Sequence, residues 1–297
     1  MKVDEKALGS RNTVGEDFFT APGRFPYPGL FQGICLLIAG IFLLILGVTV
    51  VKVYAPGAEH NPWVLGSVNL FVLGSLLWFS WECAGGRFVQ YFALRPVAWG
   101  LFGPMVLLVV GTSILASEAD NVVRYLIGPP PASFDLSWLY LEAWRRPAGT
   151  LFLLVFVAPI TEELLFRGLI LRGLQIRHGD TRAVMLSAGL FALFHVNPWQ
   201  MTGAFLIGGI LGWWRVRTGS LVPCLLGHAS YNVLPLVAMV VLPPIPGLTD
   251  IMPVPGFHPA VLDVVGAALA LFGGVRVQRT FKCNGSQRPS PSSQEKV

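Results

Sequence analysis

Apolar runs long enough to cross a lipid bilayer recur along the whole length of this chain of 297 residues. Hydrophobic residues make up 54% of the sequence and charged residues only 12%, about half the charged share of a typical soluble domain. About 20 consecutive apolar residues are enough for one helix to span the hydrocarbon core of a membrane. The sequence therefore predicts an all-α fold, a polytopic membrane helix bundle.

The apolar runs predict about eight transmembrane helices, of which the fifth and the sixth are short. They lie at 30–53, 64–84, 97–117, 148–171, 183–196, 201–214, 220–242 and 260–275. We expect the bundle to cover residues 30–282. An N-terminal tail at 1–29 would lie in the cytoplasm and the membrane interface. A tail at 283–297, rich in Ser and Pro, would be cytoplasmic and disordered.

The lysines and arginines are distributed unevenly between the two sides of this predicted bundle. Of the 21, sixteen fall on the connections at one side, four on the other side, and Arg167 lies within a span. By the positive-inside rule, both termini face the cytoplasm. Short loops and the absence of organelle signals predict a bacterial inner membrane. This topology accounts for the net charge of +5, and no basic patch with interleaved aromatic residues predicts a nucleic-acid partner.

Residues 131–147, between the third and fourth spans, show the spacing of an amphipathic helix. Its apolar face combines Leu136, Leu139, Tyr140, Ala143 and Trp144. This pattern indicates either a helix that lies along the outer membrane surface, with tryptophans as anchors, or an ordinary surface helix docked on the bundle.

Two carboxylates and a guanidinium interrupt the fourth apolar run. Each of Glu162, Glu163 and Arg167 costs roughly 2.5–3.5 kcal/mol at the centre of a spanning helix. Glu163 and Arg167 are four residues apart, which is the spacing of a helical ion pair, whereas Glu162 points about 100° away around the axis. We therefore expect Glu163 and Arg167 to support the site structurally. Pro159 predicts a kink beside Glu162 and, with it, a polar intramembrane cavity that admits water.

Three further polar side chains lie within the predicted spans. His195 ends the fifth span, and His228 and Asn232 lie four apart on one face of the seventh. At 1.5 Å per residue, Glu162, His195 and His228 lie roughly 15, 20 and 12 Å from the cytoplasmic end of their helices. This shared depth predicts that the polar groups converge on one buried site.

A carboxylate and two imidazoles beside a carboxamide suit the hydrolysis of a peptide bond. Glu162 with a histidine can deprotonate water, and a second histidine with Asn232 can stabilise a developing oxyanion. The same groups could instead bind a divalent metal through Glu162, His195 and His228. The sequence has no HExxH motif, so no cofactor is expected, and the metal remains an alternative.

These motifs resemble the CPBP family of intramembrane proteases, which includes the Rce1-type CAAX prenyl endopeptidases. The family pattern stands here on three successive spans as Glu162-Glu163-x-x-x-Arg167, Phe191-x-x-x-His195 and His228-x-x-x-Asn232. The resemblance covers about residues 148–235. It places a catalytic core at about 148–242 within the bundle.

The resemblance implies an eight-helix bundle whose cavity opens toward the membrane and the cytoplasm. It also implies that Glu162, helped by His195, activates the water, and that His228 and Asn232 form the oxyanion hole. Members of the family have been described both as metal-dependent and as glutamate-type enzymes without a metal. We prefer the glutamate type.

The resulting hypothesis is an intramembrane endopeptidase of the CAAX prenyl protease kind. Its partners would be the lipid bilayer and a membrane-associated or lipidated protein or peptide as substrate. A non-catalytic membrane scaffold or bacteriocin-immunity protein with the same fold is the first alternative. A transporter that uses the same buried ionisable groups is the second.

Overall fold

A computed structural model describes residues 27–84, 88, 92–132, 134–249 and 256–286, with side chains as far as residue 281. Within these ranges every regular element is helical, which confirms the predicted fold class. The predicted tails lie mostly outside the described residues. The division of the chain into two tails and a bundle therefore stays a prediction.

Among the described residues there are ten α-helices, two π-helical stretches and two short 3₁₀ helices at Ala58–His60 and Trp99–Leu101. The helices are α1 (Leu30–Tyr54), α2 (Pro62–Ala84), α3 (Phe102–Ile127), α4 (Ser137–Arg145), α5 (Pro147–Leu151), α6 (Ala158–Glu163), α7 (Leu171–Phe194), α8 (Pro198–Thr218), α9 (Val222–Val241) and α10 (Ala260–Ser286). The π-helical stretches Phe152–Val157 and Leu164–Ile170 join α5, α6 and α7 end to end. We call this continuous helical run, Pro147–Phe194, the long segment.

All eight predicted spans fall on helices, although two of them share the long segment. Among the described residues, six helical segments are long and apolar enough to cross a membrane, as expected of an integral membrane protein. The predicted fourth and fifth spans both lie in the long segment, and the backbone between them leaves the helical conformation at Gly179 (φ 71°, ψ 173°). The predicted sixth span is α8, which is less apolar and is not among the six.

The long segment forms the centre of the bundle. Its most apolar 18-residue window is 61% buried, whereas the corresponding windows of α1, α9 and α10 are 17% buried. Leu165, Phe166, Leu169 and Ile170, all from its second π-helical stretch, are completely buried. Helices α2, α8 and α9 pack against it. Most residues in that window are therefore surrounded by protein, whereas most residues in the windows of the outer helices are not buried.

Helices α3 and α10 pack so closely that their backbones touch. A Cβ atom at Gly111 would lie 2.4 Å from the backbone nitrogen of Ala270, and one at Gly273 would lie 2.6 Å from that of Leu108. Small residues commonly allow this close approach between helices in membranes, where packing rather than hydrophobicity drives association. This pair closes the side of the bundle away from the glutamates.

Helix α3 ends about ten residues later than the sequence predicted. Charged residues lie inside the additional turns of the helix, where Asp120 accepts a hydrogen bond from Arg124 at 2.6 Å. Asn121 Nδ2 also donates to the carbonyl of Gly247 at 3.0 Å. The prediction of an end near residue 117 was therefore wrong.

The amphipathic helix predicted within 131–147 is present as α4. The side chain of Trp144 is 68% exposed, and Trp138 makes an edge contact with His60, with ring centroids 5.2 Å apart. Glu142, which the pattern placed on the polar face, is instead buried and paired with Arg146. These contacts favour a helix docked on the bundle.

Candidate active site

The two adjacent glutamates end α6, a short α-helical stretch with π-helical geometry on both sides. In the first π-helical stretch, the amide of Ala158 donates to the carbonyl of Leu153, five residues earlier. The carbonyl of Leu154 would bond in the same way to residue 159, which is a proline and has no N–H. Asn232 supplies the missing donor, with its Nδ2 atom 3.0 Å from the Leu154 oxygen.

Pro159, at which the sequence predicted a kink, lies in the first turn of α6, directly after a π-helical stretch. Widened π-helical turns are frequent at functional sites, and here they flank both sides of the glutamate pair. Thr161 in the same helix lies 2.9 Å from Asn69 of α2, which fixes α6 against its neighbour. The backbone that carries Glu162 is therefore held from two sides.

Glu163 is completely buried and binds two partners through one oxygen. Its Oε1 atom accepts a hydrogen bond from Arg167 Nη1 at 2.6 Å and lies 2.8 Å from His228 Nδ1. Its second oxygen, Oε2, has no hydrogen-bond partner among the described residues. The sequence predicted the pair with Arg167 but not the contact with His228.

Arg167 is held by three groups from three parts of the chain. Besides Glu163, its Nη2 atom donates to the carbonyl of Gly208 in α8 at 3.2 Å. Its guanidinium carbon lies 4.3 Å from the ring centre of Phe191, a cation–π distance. The side chain is 1% exposed. Arg167 thus ties the long segment to α8.

Glu162 faces the other nitrogen of the same imidazole. Its Oε2 atom lies 3.8 Å from His228 Nε2, which is too long for a direct hydrogen bond. A separation of this size between two polar atoms is one that a water molecule can bridge. The residue is 8% exposed, and Glu162 makes no hydrogen bond to another described residue. His228 therefore stands between the two adjacent glutamates.

His195 follows the last residue of α7, and its ring orientation is fixed. Its Nδ1 atom lies 2.9 Å from the carbonyl oxygen of Phe191. A carbonyl can only accept, so Nδ1 carries a proton and Nε2 of the neutral ring is a lone-pair acceptor. Nε2 has no hydrogen-bond partner among the described residues. It is therefore free to accept a proton.

Phe191 contacts most of the polar groups of the site. Its ring centre lies 4.9 Å from that of His195 and 5.6 Å from that of His228, both edge-on, and Arg167 lies over its face. The sequence-based prediction gave Phe191 no role beyond its position in the motif with His195. Its spacing of four residues from His195 was the available signal for a packing role.

The structure brings together four of the six predicted site residues directly. Glu162, Glu163, Arg167 and His228 are linked by the contacts above, and His195 joins them through the ring of Phe191. Asn232 lies one turn beyond His228 on α9 and bonds to the long segment through Leu154. One of its two amide protons is used there, and the other remains for a further acceptor.

The metal alternative does not fit the positions of these side chains. Glu162, His195 and His228 do not bring three ligand atoms within 4.8 Å of one another in the part of the chain that the structure describes. The one such group within the described ranges is Glu118, His258 and Asp263, whose residues already bond to each other between α3 and the start of α10. We derive no step through a metal at the glutamate site.

Comparison with known proteins supports the family resemblance over the same helices. No curated protein and no solved structure matches the chain. One family model does, and it spans α5 to the middle of α9, which carry all six predicted site residues. Residues 144–234 match the Rce1-like family, described as type II CAAX prenyl endopeptidase Rce1-like.

Proposed function

We propose that this protein is an intramembrane endopeptidase of the glutamate type. It hydrolyses a peptide bond in a membrane-associated or lipidated protein, as the name of the matching family suggests. Glu162 is the general base, and His195 assists it. His228 and Asn232 stabilise the oxyanion, while Glu163 and Arg167 hold the site together.

The arrangement of the two glutamates around His228 is the observation that supports this proposal most. Glu163 is engaged by Arg167 and His228, whereas Glu162 faces His228 across 3.8 Å without a direct bond. A carboxylate that balances a buried guanidinium has a structural role. The carboxylate beside it is left to accept a proton from water.

The reaction uses the proton positions that the hydrogen bonds define. A water molecule gives a proton to Glu162 while its oxygen attacks the carbonyl carbon of the substrate, and the lone pair of His195 Nε2 orients the same water. The carbonyl oxygen then becomes an oxyanion. When the C–N bond breaks, the protonated Glu162 returns its proton to the leaving amine.

The oxyanion needs donors that face the substrate. The carboxylate of Glu163 can only accept a hydrogen bond, so Nδ1 of His228 carries a proton. Nε2 of the same ring can therefore donate to the oxyanion only when the ring is doubly protonated. Asn232 offers the amide proton that is not bonded to Leu154. Preorganised donors of this kind contribute about 10²–10³ in rate at other acyl-transfer sites.

We propose that the protein resides in a bacterial inner membrane with both termini in the cytoplasm, as the distribution of basic residues predicts. Its partners would then be the bilayer and a membrane-anchored protein or peptide.

The test is cleavage by the purified, detergent-solubilised protein against a panel of membrane-anchored and prenylated peptides. The comparison uses Glu162→Gln, with Glu82→Gln as the matched control, since Glu82 is exposed at the end of α2. Each reaction is run with and without a strong chelator. We expect cleavage by the original protein and by Glu82→Gln in both conditions, and none by Glu162→Gln.

Two results would contradict the proposal. Cleavage that persists in Glu162→Gln would remove Glu162 as the base. Cleavage that the chelator abolishes would require a metal and a rearrangement of His195 and His228. If no peptide is cleaved by the folded protein, the non-catalytic scaffold becomes the better explanation.

A further inference from the structure

Three arginines from separate segments line a cavity of about 250 Å³ at one end of the bundle. Arg95 comes from the stretch before α3, Arg172 from the start of α7, and Arg215 from the last turn of α8. The remaining lining residues are Ala93, Gln175, Ile176 and Gly219. Three of these seven described residues are arginines, and none of the seven is acidic.

Hydrogen bonds between neighbouring segments fix the walls of this cavity. The amide of Leu221 donates to the carbonyl of Ala93 at 3.1 Å, and the hydroxyl of Ser220 donates to the carbonyl of Arg95. Ser220 and Leu221 are completely buried. Gly219 ends α8 in the left-handed conformation, with φ 64°, which turns the chain toward α9. These backbone contacts therefore hold the residues that line the cavity in fixed positions.

The arginines are placed where an anion would relieve their mutual repulsion. Arg215 lies close enough to Arg172 and Arg95 to experience both positive charges. Its Nε atom is buried and has no hydrogen-bond partner among the described residues. A buried donor without an acceptor is unfavourable, and a bound oxyanion would supply that acceptor.

We propose that this cavity binds the phosphate group of an anionic phospholipid. Arginine binds phosphate through paired N–H donors, and basic pockets between membrane helices at the cytoplasmic side commonly hold lipid headgroups. The distribution of basic residues assigns this end of the bundle to the cytoplasm. Ile176, at the edge of the cavity, is 49% exposed, so apolar surface for the acyl chains adjoins the charges.

This lipid site is separate from the candidate active site. Arg172 follows Glu162 by ten residues on the long segment, a rise of roughly 15 Å along the helix axis. Binding can therefore be measured without catalysis. The Glu162→Gln variant should bind the lipid as well as the original protein does, so failure of one proposal is distinguishable from failure of the other.

The test measures binding of phosphatidylglycerol to the purified full-length protein in a non-ionic detergent. Phosphatidylcholine and inorganic phosphate serve as comparison ligands. The variants are Arg215→Gln and Arg95→Gln, with Arg279→Gln as the control, because Arg279 is exposed on α10 and does not line the cavity. Since one arginine near a membrane surface contributes about 1 kcal/mol, each cavity variant should weaken binding by about fivefold or more.

Several outcomes would overturn the proposal. One is an equal affinity for phosphatidylglycerol in Arg95→Gln, Arg215→Gln and the control. Another is binding of inorganic phosphate as tight as that of the lipid, which would indicate a site for free anions. A third is displacement of the lipid by a peptide with a free terminal carboxylate but not by its amide. Should Arg215→Gln fail to fold, Arg95→Gln still decides, because Arg95 is exposed.

Discussion

His228 Nδ1 lies 2.8 Å from Glu163 Oε1, the same oxygen that accepts a hydrogen bond from Arg167. One carboxylate oxygen thus orients the imidazole of α9 and neutralises a buried guanidinium of its own helix. Because Glu163 is engaged by two partners through Oε1, we propose the adjacent Glu162 as the carboxylate that acts in the chemistry. Two neighbouring residues of one type therefore have different surroundings.

Replacing Glu163 should reduce stability strongly. In Glu163→Gln the buried Arg167 loses its counter-charge, and removal of one partner from a buried ion pair costs about 3–5 kcal/mol. The free energy of unfolding, measured by titration with a denaturing detergent, tests this. Glu82→Gln should leave it unchanged. A Glu163→Gln protein as stable as the original would contradict the structural role.

Two adjacent glycines of α8 should respond to alanine in opposite directions. A Cβ atom at Gly208 would lie 3.2 Å from Phe191 Cδ1 and 3.3 Å from Arg167 Nη2, whereas one at Gly209 would meet nothing within 4 Å. We expect Gly208→Ala to destabilise the protein by about 1–3 kcal/mol and to lower activity.

Gly209→Ala is the matched control for this substitution. It should stabilise the helix by up to about 1 kcal/mol, because alanine favours a helix interior. Unfolding titrations of both variants make the comparison. Equal effects at the two positions would show that Gly208 does not form the wall behind Arg167.

The proline before the glutamates and Asn232 should be energetically coupled. Asn232→Ala removes the donor to the Leu154 carbonyl and should cost about 1–3 kcal/mol. In Pro159→Ala, residue 159 regains a backbone N–H, which can donate to the Leu154 carbonyl. Asn232→Ala should therefore cost about 1 kcal/mol less in this background than in the original protein. A double-mutant cycle on the free energy of unfolding measures this difference. Strict additivity would disprove the link.

The same pair of variants separates structure from catalysis at Asn232. An oxyanion donor contributes to the rate whatever the backbone does, so Asn232→Ala should slow turnover by roughly 10²-fold or more in both backgrounds. The measurement is kcat and KM on a cleaved peptide. A rate fully restored by Pro159→Ala would assign Asn232 a purely structural role.

Replacing Phe191 should lower stability and kcat more than replacing Phe272, which also has an arginine over its ring. Phe191→Leu removes contacts to Arg167, His195 and His228, and we expect a loss of about 1–3 kcal/mol in stability together with a lower kcat. Phe272→Leu is the control, because Arg276 lies 5.6 Å from that ring, at an exposed position. Similar losses in both variants would contradict the central position of Phe191.

Relations within one helix could be predicted from the sequence. The pair of Glu163 and Arg167 follows from their spacing of four residues, and the apolar runs placed helices at all eight predicted spans. The π-helical turns beside Pro159 and the extension of α3 to Ile127 were not predicted. The first involves a donor from another helix, Asn232 of α9, and the second involves an acceptor outside α3, the carbonyl of Gly247, to which Asn121 donates.

The sequence by itself determined that this chain folds as membrane helices and that three motifs place ionisable groups inside them. Only the tertiary structure decided which groups meet: His228 between Glu162 and Glu163, Asn232 against Leu154, and Phe191 among the charges. The physical reason is that the pitch of a helix fixes contacts four residues apart. The distance between side chains on different helices depends instead on how those helices pack.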